Sequence, residues 1–330
     1  SMRILIAALV GVLVSGTAYA RDQISIVGSS TVYPFATIVA EKFGQSSGYA
    51  TPVIESTGTG GGMKLFCKGI GINTPDITNA SRAIKSKEAQ MCKDNGVAYQ
   101  EFIVGNDGVA FANNLSGKRF SISIAHIAAA LVAELEGQAN PLNTWADVDA
   151  YVASRTNGVR AGLPAIPVSV MVPPPTSGTR DAMGSLFMKA GWKKLGLEGK
   201  AYKKLREDGA VIEMGENDSL IIAKLVADKN MFGIFGYSFF DQNRDKVQAS
   251  VLDGVELNFD SVASYKYPGA RPLFFYVKKE HMSVIPGLKE FIAEFISNKA
   301  MSKEGYLFAA GLVPLSDADF SNQLAAKSNL

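Results

Sequence analysis

Three short segments of this 330-residue chain put hydroxyl side chains and glycine just ahead of a run with helical spacing: GSSTVYPF (28–35), STGTGGGMK (56–64) and PTSGTRDAM (175–183). A helix start carries unpaired N–H groups and a partial positive charge, so it attracts anions. Ser and Thr hydroxyls add neutral donors there, and glycine lets the backbone come close to a ligand. Any one such turn is an ordinary capping arrangement; three in one chain point to an anion site assembled from separate turns. Arg82 directly follows Ser81 in DITNASRAI (76–84), and Arg180 directly follows SGT. A guanidinium is a planar fork that matches two oxygens of a tetrahedral oxyanion, so both arginines are expected as ligand clamps.

The same segments exclude larger anions. A nucleotide P-loop requires G-x-x-x-x-G-K-[ST], and GTGGGMKLF has neither the Gly-Lys pair nor the following hydroxyl. A dinucleotide fingerprint beginning at Gly58 would need glycine where Met63 stands. The ligand is therefore expected to be a small anion. His126 lies in a strongly apolar helical run and is expected to be packed; His281 lies near a polar turn. Neither neighbours a Ser, Cys or Asp in a known nucleophile motif, and no HExxH or GxSxG occurs.

The elements that must position these residues alternate between strand-like and helix-like segments, as in α/β proteins. ISIV (24–27) reads as a strand. After it, Phe35, Ile38, Val39 and Phe43 recur at helical spacing, with Pro34 in the first turn and Gly44 as the expected stop. TPVIES followed by GTGGGMKLFCKG repeats the strand, hydroxyl turn and helix. So does IPVSVMVPPPTSGTRDAMGSLFMKAG, where Met183, Leu186 and Phe187 mark the helix. Leu288, Phe291, Ile292, Phe295 and Ile296 give a further amphipathic helix near the end.

Composition narrows the setting. The length suggests two domains. With 33 Lys+Arg against 31 Asp+Glu and 47% apolar residues, neither disorder nor a nucleic-acid surface is indicated. The first twenty residues read as an export signal, with Arg3, the apolar run ILIAALVGVLV (4–14) and the small-x-small site AYA (18–20); Ser1 ahead of Met2 reads as a cloning remnant. The mature chain is expected to start near Arg21, outside the cytoplasm. Its two cysteines, Cys67 and Cys92, are expected to form a disulfide, since a redox or metal pair would call for CxxC spacing or more histidine.

Taken together, these segments resemble the periplasmic phosphate-binding protein family of the bacterial high-affinity phosphate ABC transporter, in the branch whose first turn reads GSST. Besides GSSTVYPF, STGTGGGMK, ASR and SGTR, the likeness includes NTWADV (143–148), GIFGYSFFDQN (233–243), YPGARPLFFYV (267–277) and GLVPL (311–315). It implies a hinged two-lobe α/β fold of the class II periplasmic binding protein type, with phosphate in the inter-lobe cleft. It also implies the ligand set: Ser30, Thr31 and the Val32 N–H from the first turn, Thr59 from the second, and Ser177, the Gly178 N–H and Thr179 from the third. Ser81 and Arg82 would complete one wall and Arg180 the other.

One position departs from the pattern. Some relatives carry Asp after AS, where it accepts the proton that phosphate keeps at neutral pH, and this chain has Arg82 there. Asp107 in GNDGVAF (105–111) is the expected substitute acceptor. Lobe one is expected to combine 22–111 with 275–330, and lobe two to hold 112–274. The expected partners are inorganic phosphate and the transmembrane permease subunits of an ABC transporter, bound by a monomer without cofactor, metal or nucleic acid. The alternatives are capture of another tetrahedral oxyanion (sulfate, molybdate or a phosphonate) and hydrolysis of phosphate esters.

Overall fold

The computed structural model describes residues 21–215 and 218–330. The expected export signal and the Ser1 remnant lie outside the described residues.

Among the described residues, nine strands share one sheet: β1 (Ser25–Gly28), β2 (Val53–Ile54), β3 (Ile77–Ala80), β4 (Tyr99–Asn114), β5 (Val170–Val172), β6 (Val211–Glu213), β7 (Phe232–Gly236), β8 (Val247–Ala249) and β9 (Ala270–Lys278). Their order is β2-β1-β3-β9-β4-β7-β5-β6, with β8 also paired to β4. β1 is parallel to both β2 and β3. β1 and β3 are almost wholly buried, as parallel strands covered on both faces are, whereas β2 lies at the exposed edge.

The 16-residue β4 joins the two halves of the sheet. Its first part runs antiparallel to β9, and its last part, Val109–Asn113, pairs with β7. The β4/β9 register shifts between Leu273 and Phe274, a bulge of the kind that bends a strand and raises its local twist.

Apolar packing divides at this bend. One large cluster gathers Ile24, Val39, Phe43, Phe102, Val104, Phe275, Phe291 and Phe295; a second begins at Val109 and includes Phe111, Phe120, Trp145, Phe187, Phe232 and Tyr267; a smaller third, around the two cysteines, gathers Met63, Phe66, Phe274 and Tyr276. The amphipathic helix Leu288–Phe295 lays its stripe on the first, with Phe43 and Phe291 edge to face at 5.4 Å. In the second, Trp145 stands edge-on to Phe111, Phe120 and Phe232, which explains the bulky aromatics around it.

Helix α1 (Tyr33–Ser46) has Pro34 in its first turn, where the missing N–H costs nothing. It runs past Gly44 instead of stopping there, which corrects the expectation. A Cβ at Gly44 would come within 2.0 Å of the Thr51 hydroxyl, so glycine is needed there for packing and not as a terminator. Cys67 and Cys92 are bridged, as expected. Closing a loop of 25 residues contributes about 3 kcal/mol in the chain-entropy account.

Candidate functional site

Each hydroxyl turn follows a strand of the sheet, so its place is set by backbone pairing. At the first, Gly28 ends β1 with φ 119°, and a Cβ there would lie 2.2 Å from the Asn79 carbonyl oxygen. No side chain fits. The next residue, Ser29, was not among the expected site residues. Its Oγ accepts the N–H groups of Thr31 at 3.1 Å and Val32 at 3.3 Å. The Val32 N–H, expected to face a ligand, is thus engaged inside the turn, and Ser30 and Thr31 project instead.

The second turn starts helix α2 (Thr59–Phe66). A Cβ on Gly62 would stand 2.6 Å from Gly28 Cα, so this glycine lets α2 lie directly on β1 and brings the first two turns together. The Thr59 hydroxyl lies 3.1 Å from the Ser81 hydroxyl and accepts the Ser81 N–H. Arg82 next to it is held by Glu88 in a two-pronged pair at 2.8 and 3.0 Å. Burial alone would raise the Glu88 carboxyl, but its bonds from Arg82 and the Lys85 N–H hold it below the usual carboxylate range.

The third turn starts helix α3 (Gly178–Met183), where Ser177 Oγ accepts the Thr179 N–H at 3.1 Å. It packs against the first turn, and a Cβ on Gly178 would stand 2.8 Å from Thr31 Cα. Arg180 turns away. It donates to the Pro173 carbonyl at 2.9 Å and to Glu213 at 3.2 Å, and it lines a depression shared with Lys189, Lys200 and Lys203.

Between the turns lies an arginine that motif reading missed. Arg271 sits opposite Asp107 in the β4/β9 register, and its Nε donates to Asp107 Oδ2 at 3.4 Å. Its Nη2 donates to the Thr31 hydroxyl at 3.2 Å and to Asp181 Oδ2 at 3.1 Å. A signal was present in the sequence: an arginine inside the apolar stretch YPGARPLFFYV must find partners once buried. Burial pushes the Asp107 carboxyl above its ordinary value, and the Arg271 charge only partly offsets this.

The resulting cleft has two chambers. One of about 430 Å³ is lined by Ser30, Thr31, Asp107, Ser177, Gly178 and Thr179, among others. The other, of about 710 Å³, is lined by Ser30, Thr59, Ser81, Arg82 and Arg271 among others. Ser30 borders both. The structure therefore brings all of the expected set to the cleft except Arg180 and Val32. Such a cleft can hold an anion through neutral hydroxyls and one buried guanidinium.

Both histidines have other work. His126 accepts the Ser123 N–H at Nδ1 and contacts Asp149 through Nε2. His281 is buried; it accepts the Gly71 N–H at Nε2 and bonds Asp76 through Nδ1 at 2.6 Å. His126 is packed as expected, and His281 closes the short turn Lys279–His281 with its side chain buried. Among the described residues, no group of three or more His, Cys, Asp or Glu side chains is placed to hold a metal ion. Likewise, no described helix is long and apolar enough to cross a membrane.

A family model described as the PBP superfamily domain matches residues 13–299. The chain belongs to the PBP superfamily. Its likeness to other members extends over most of its length. It is 28% identical to protein SphX of Synechococcus elongatus, over 89% of this chain and 78% of that protein. It is 26% identical to the phosphate-binding protein PstS of Staphylococcus saprophyticus, over 90% of this chain and 81% of that one. Among solved structures, a possible phosphate binding protein from Planctomyces limnophilus superposes with a TM-score of 0.75 at 26% identity, covering 93% of this chain and 98% of the other. The expected two-lobe α/β fold is thus that of the PBP superfamily, an extracytoplasmic family.

Proposed function

We propose that this chain captures inorganic phosphate between its lobes by closure and delivers it to the permease of an ABC transporter outside the cytoplasm. The observation that carries this reading is the convergence of three hydroxyl turns around Arg271, a residue 8% exposed. Ser30, Thr31, Thr59, Ser81, Ser177, Gly178 and Thr179 supply neutral donors. Arg82 and Arg180 add positive potential from the two walls, and Val32 holds the first turn in shape. Neutral donors suit a buried dianion because they stabilise charge without demanding a full set of buried countercharges.

Asp107 gives the cleft its selectivity. A buried carboxylate tolerates an oxyanion that still carries a proton to donate, as phosphate does near neutral pH. Against fully deprotonated sulfate it offers only repulsion. The names of the SphX, PstS and Planctomyces relatives fit this ligand.

The lobe boundaries belong to the same reading: 22–111 with 275–330, and 112–274. They are supported by the two larger apolar clusters, which part between Val104 and Val109 on β4 and between Ala270 and Leu273 on β9. An export signal at 1–20, a periplasmic location and a monomeric state complete it. Turnover of phosphate esters is disfavoured because both histidines are committed to structural hydrogen bonds. Isothermal titration of ligand-free protein tests the reading: one phosphate per chain and no competing sulfate uptake support it, and absence of phosphate binding defeats it.

A further inference from the structure

Three polar atoms meet at the centre of the cleft. Arg271 Nη2 is 3.2 Å from Thr31 Oγ1 and 3.1 Å from Asp181 Oδ2, and Thr31 Oγ1 is itself 3.2 Å from Asp181 Oδ2. They come from the turn after β1, the crossing strand β9 and helix α3. Contacts this short leave no gap for another oxygen. An anion that uses the Thr31 hydroxyl and Arg271 Nη2 must therefore take the place of the Asp181 carboxylate.

Resting on the phosphate reading of this cleft, we propose that Asp181 is a built-in occupant of the anion seat: its carboxylate latches the empty lobes together, and incoming phosphate displaces it. Carboxylate and phosphate oxygens accept the same hydrogen bonds, and two negative groups cannot share the seat without repulsion. The three participants are unequally free to move. The Asp181 side chain is 49% exposed and that of Arg271 10%. The carboxylate can turn to water with its charge still solvated, whereas the guanidinium would stay buried.

Asp181 also has somewhere to turn. It lines the neighbouring depression together with Arg180, Lys189, Lys200 and Lys203, a ready set of positive charges. On the vacated side, phosphate gains more than the carboxylate gave up. Arg271 Nη1 makes no hydrogen bond to another described residue, so a tetrahedral anion can engage both Nη atoms where Asp181 engages one. Asp107 stays on the Nε side throughout. The latch thus sets affinity and rate: every binding event first breaks the Asp181 contacts.

The test compares the mature chain with Asp181→Asn and with Asp245→Asn, an exposed change of equal charge elsewhere in lobe two. Asp181→Ser serves as a second variant. Stopped-flow and calorimetric titration with inorganic phosphate should show both Asp181 variants binding about tenfold tighter, chiefly through faster association, as expected for losing one competing charge-assisted hydrogen bond. Asp245→Asn should match the parent. Small-angle scattering without phosphate should show both Asp181 variants more extended than the parent. Unchanged or weaker phosphate binding by the Asp181 variants, or identical ligand-free scattering, overturns the latch. Failure of the parent to bind phosphate would instead defeat the reading beneath it, and the scattering comparison still judges the latch.

Discussion

Arg271 and Thr31, 240 residues apart in sequence, meet in a hydrogen bond of 3.2 Å from guanidinium Nη2 to hydroxyl. The arginine stands on a strand that crosses between the apolar clusters, and the threonine on a turn that packs against the opposite lobe. On the phosphate reading, this pair couples a ligand in the cleft to the relative position of the lobes.

Arg271→Lys should therefore weaken phosphate binding by about tenfold or more. Lysine keeps the charge but loses the planar fork, and a hydrogen bond to a charged group contributes about 1.5–3 kcal/mol. Arg180→Lys should cost clearly less, because Arg180 donates to Pro173 and Glu213 instead of facing the cleft. Titration calorimetry on the two variants checks the order; equal losses would mean Arg180 swings inward on binding.

Gly178→Ala should reduce phosphate affinity by about tenfold. The added methyl would sit 2.8 Å from Thr31 Cα and prop the lobes apart, and overpacking of this kind typically costs 1–3 kcal/mol. Alanine is a good helix former, so α3 itself should persist. Scattering in saturating phosphate should then show a less compact particle than the parent. An unchanged profile and affinity would show that the lobes do not close on this contact.

Asp107→Asn should weaken phosphate and relax the rejection of sulfate, since an amide can turn a donor toward a deprotonated oxygen. Parent binding should fade at high pH as phosphate loses its last proton, and the variant should do so less steeply. A phosphate-to-sulfate affinity ratio that is the same in both proteins would place the discrimination elsewhere.

The local elements of this fold were legible in the sequence, because strand, hydroxyl turn and helix are signalled within a dozen residues. The long-range partners were not. Arg271 finds Asp107 through strand register across 164 positions, and nothing near either residue announces the other. Arg180 looked like a clamp because it follows SGT, yet Glu213, 33 positions away, takes its guanidinium. The Val32 N–H was lost to Ser29 for a more local reason: a hydroxyl inside the same turn reaches it first. Gly44 misled because helix termination and close packing select the same residue.

Acid should destabilise the protein through Asp76. Burial by itself would raise this carboxyl, but bonds from His281, Arg21 and the Ser25 N–H outweigh it and hold it below the usual carboxylate range. The unfolded chain then takes up the proton first. The stabilisation is present above the unfolded value of about 4 and is lost as pH falls through the folded one. Asp76→Asn should lower the melting temperature at pH 7 and flatten its decline as pH falls below the ordinary carboxylate value of about 4. A variant whose acid limb is as steep as the parent's would remove Asp76 from this role.

The location of the ligand is the central claim, and arsenate, a tetrahedral analogue of phosphate, tests it directly. Crystals grown with arsenate and measured at the arsenic absorption edge should show one anomalous peak in the cleft. It should lie within hydrogen-bond reach of Thr31, Arg271 and the Ser177–Thr179 turn, with Asp181 turned away. A peak confined to the Lys189, Lys200 and Lys203 depression, or no peak in the cleft at saturating arsenate, would contradict the account.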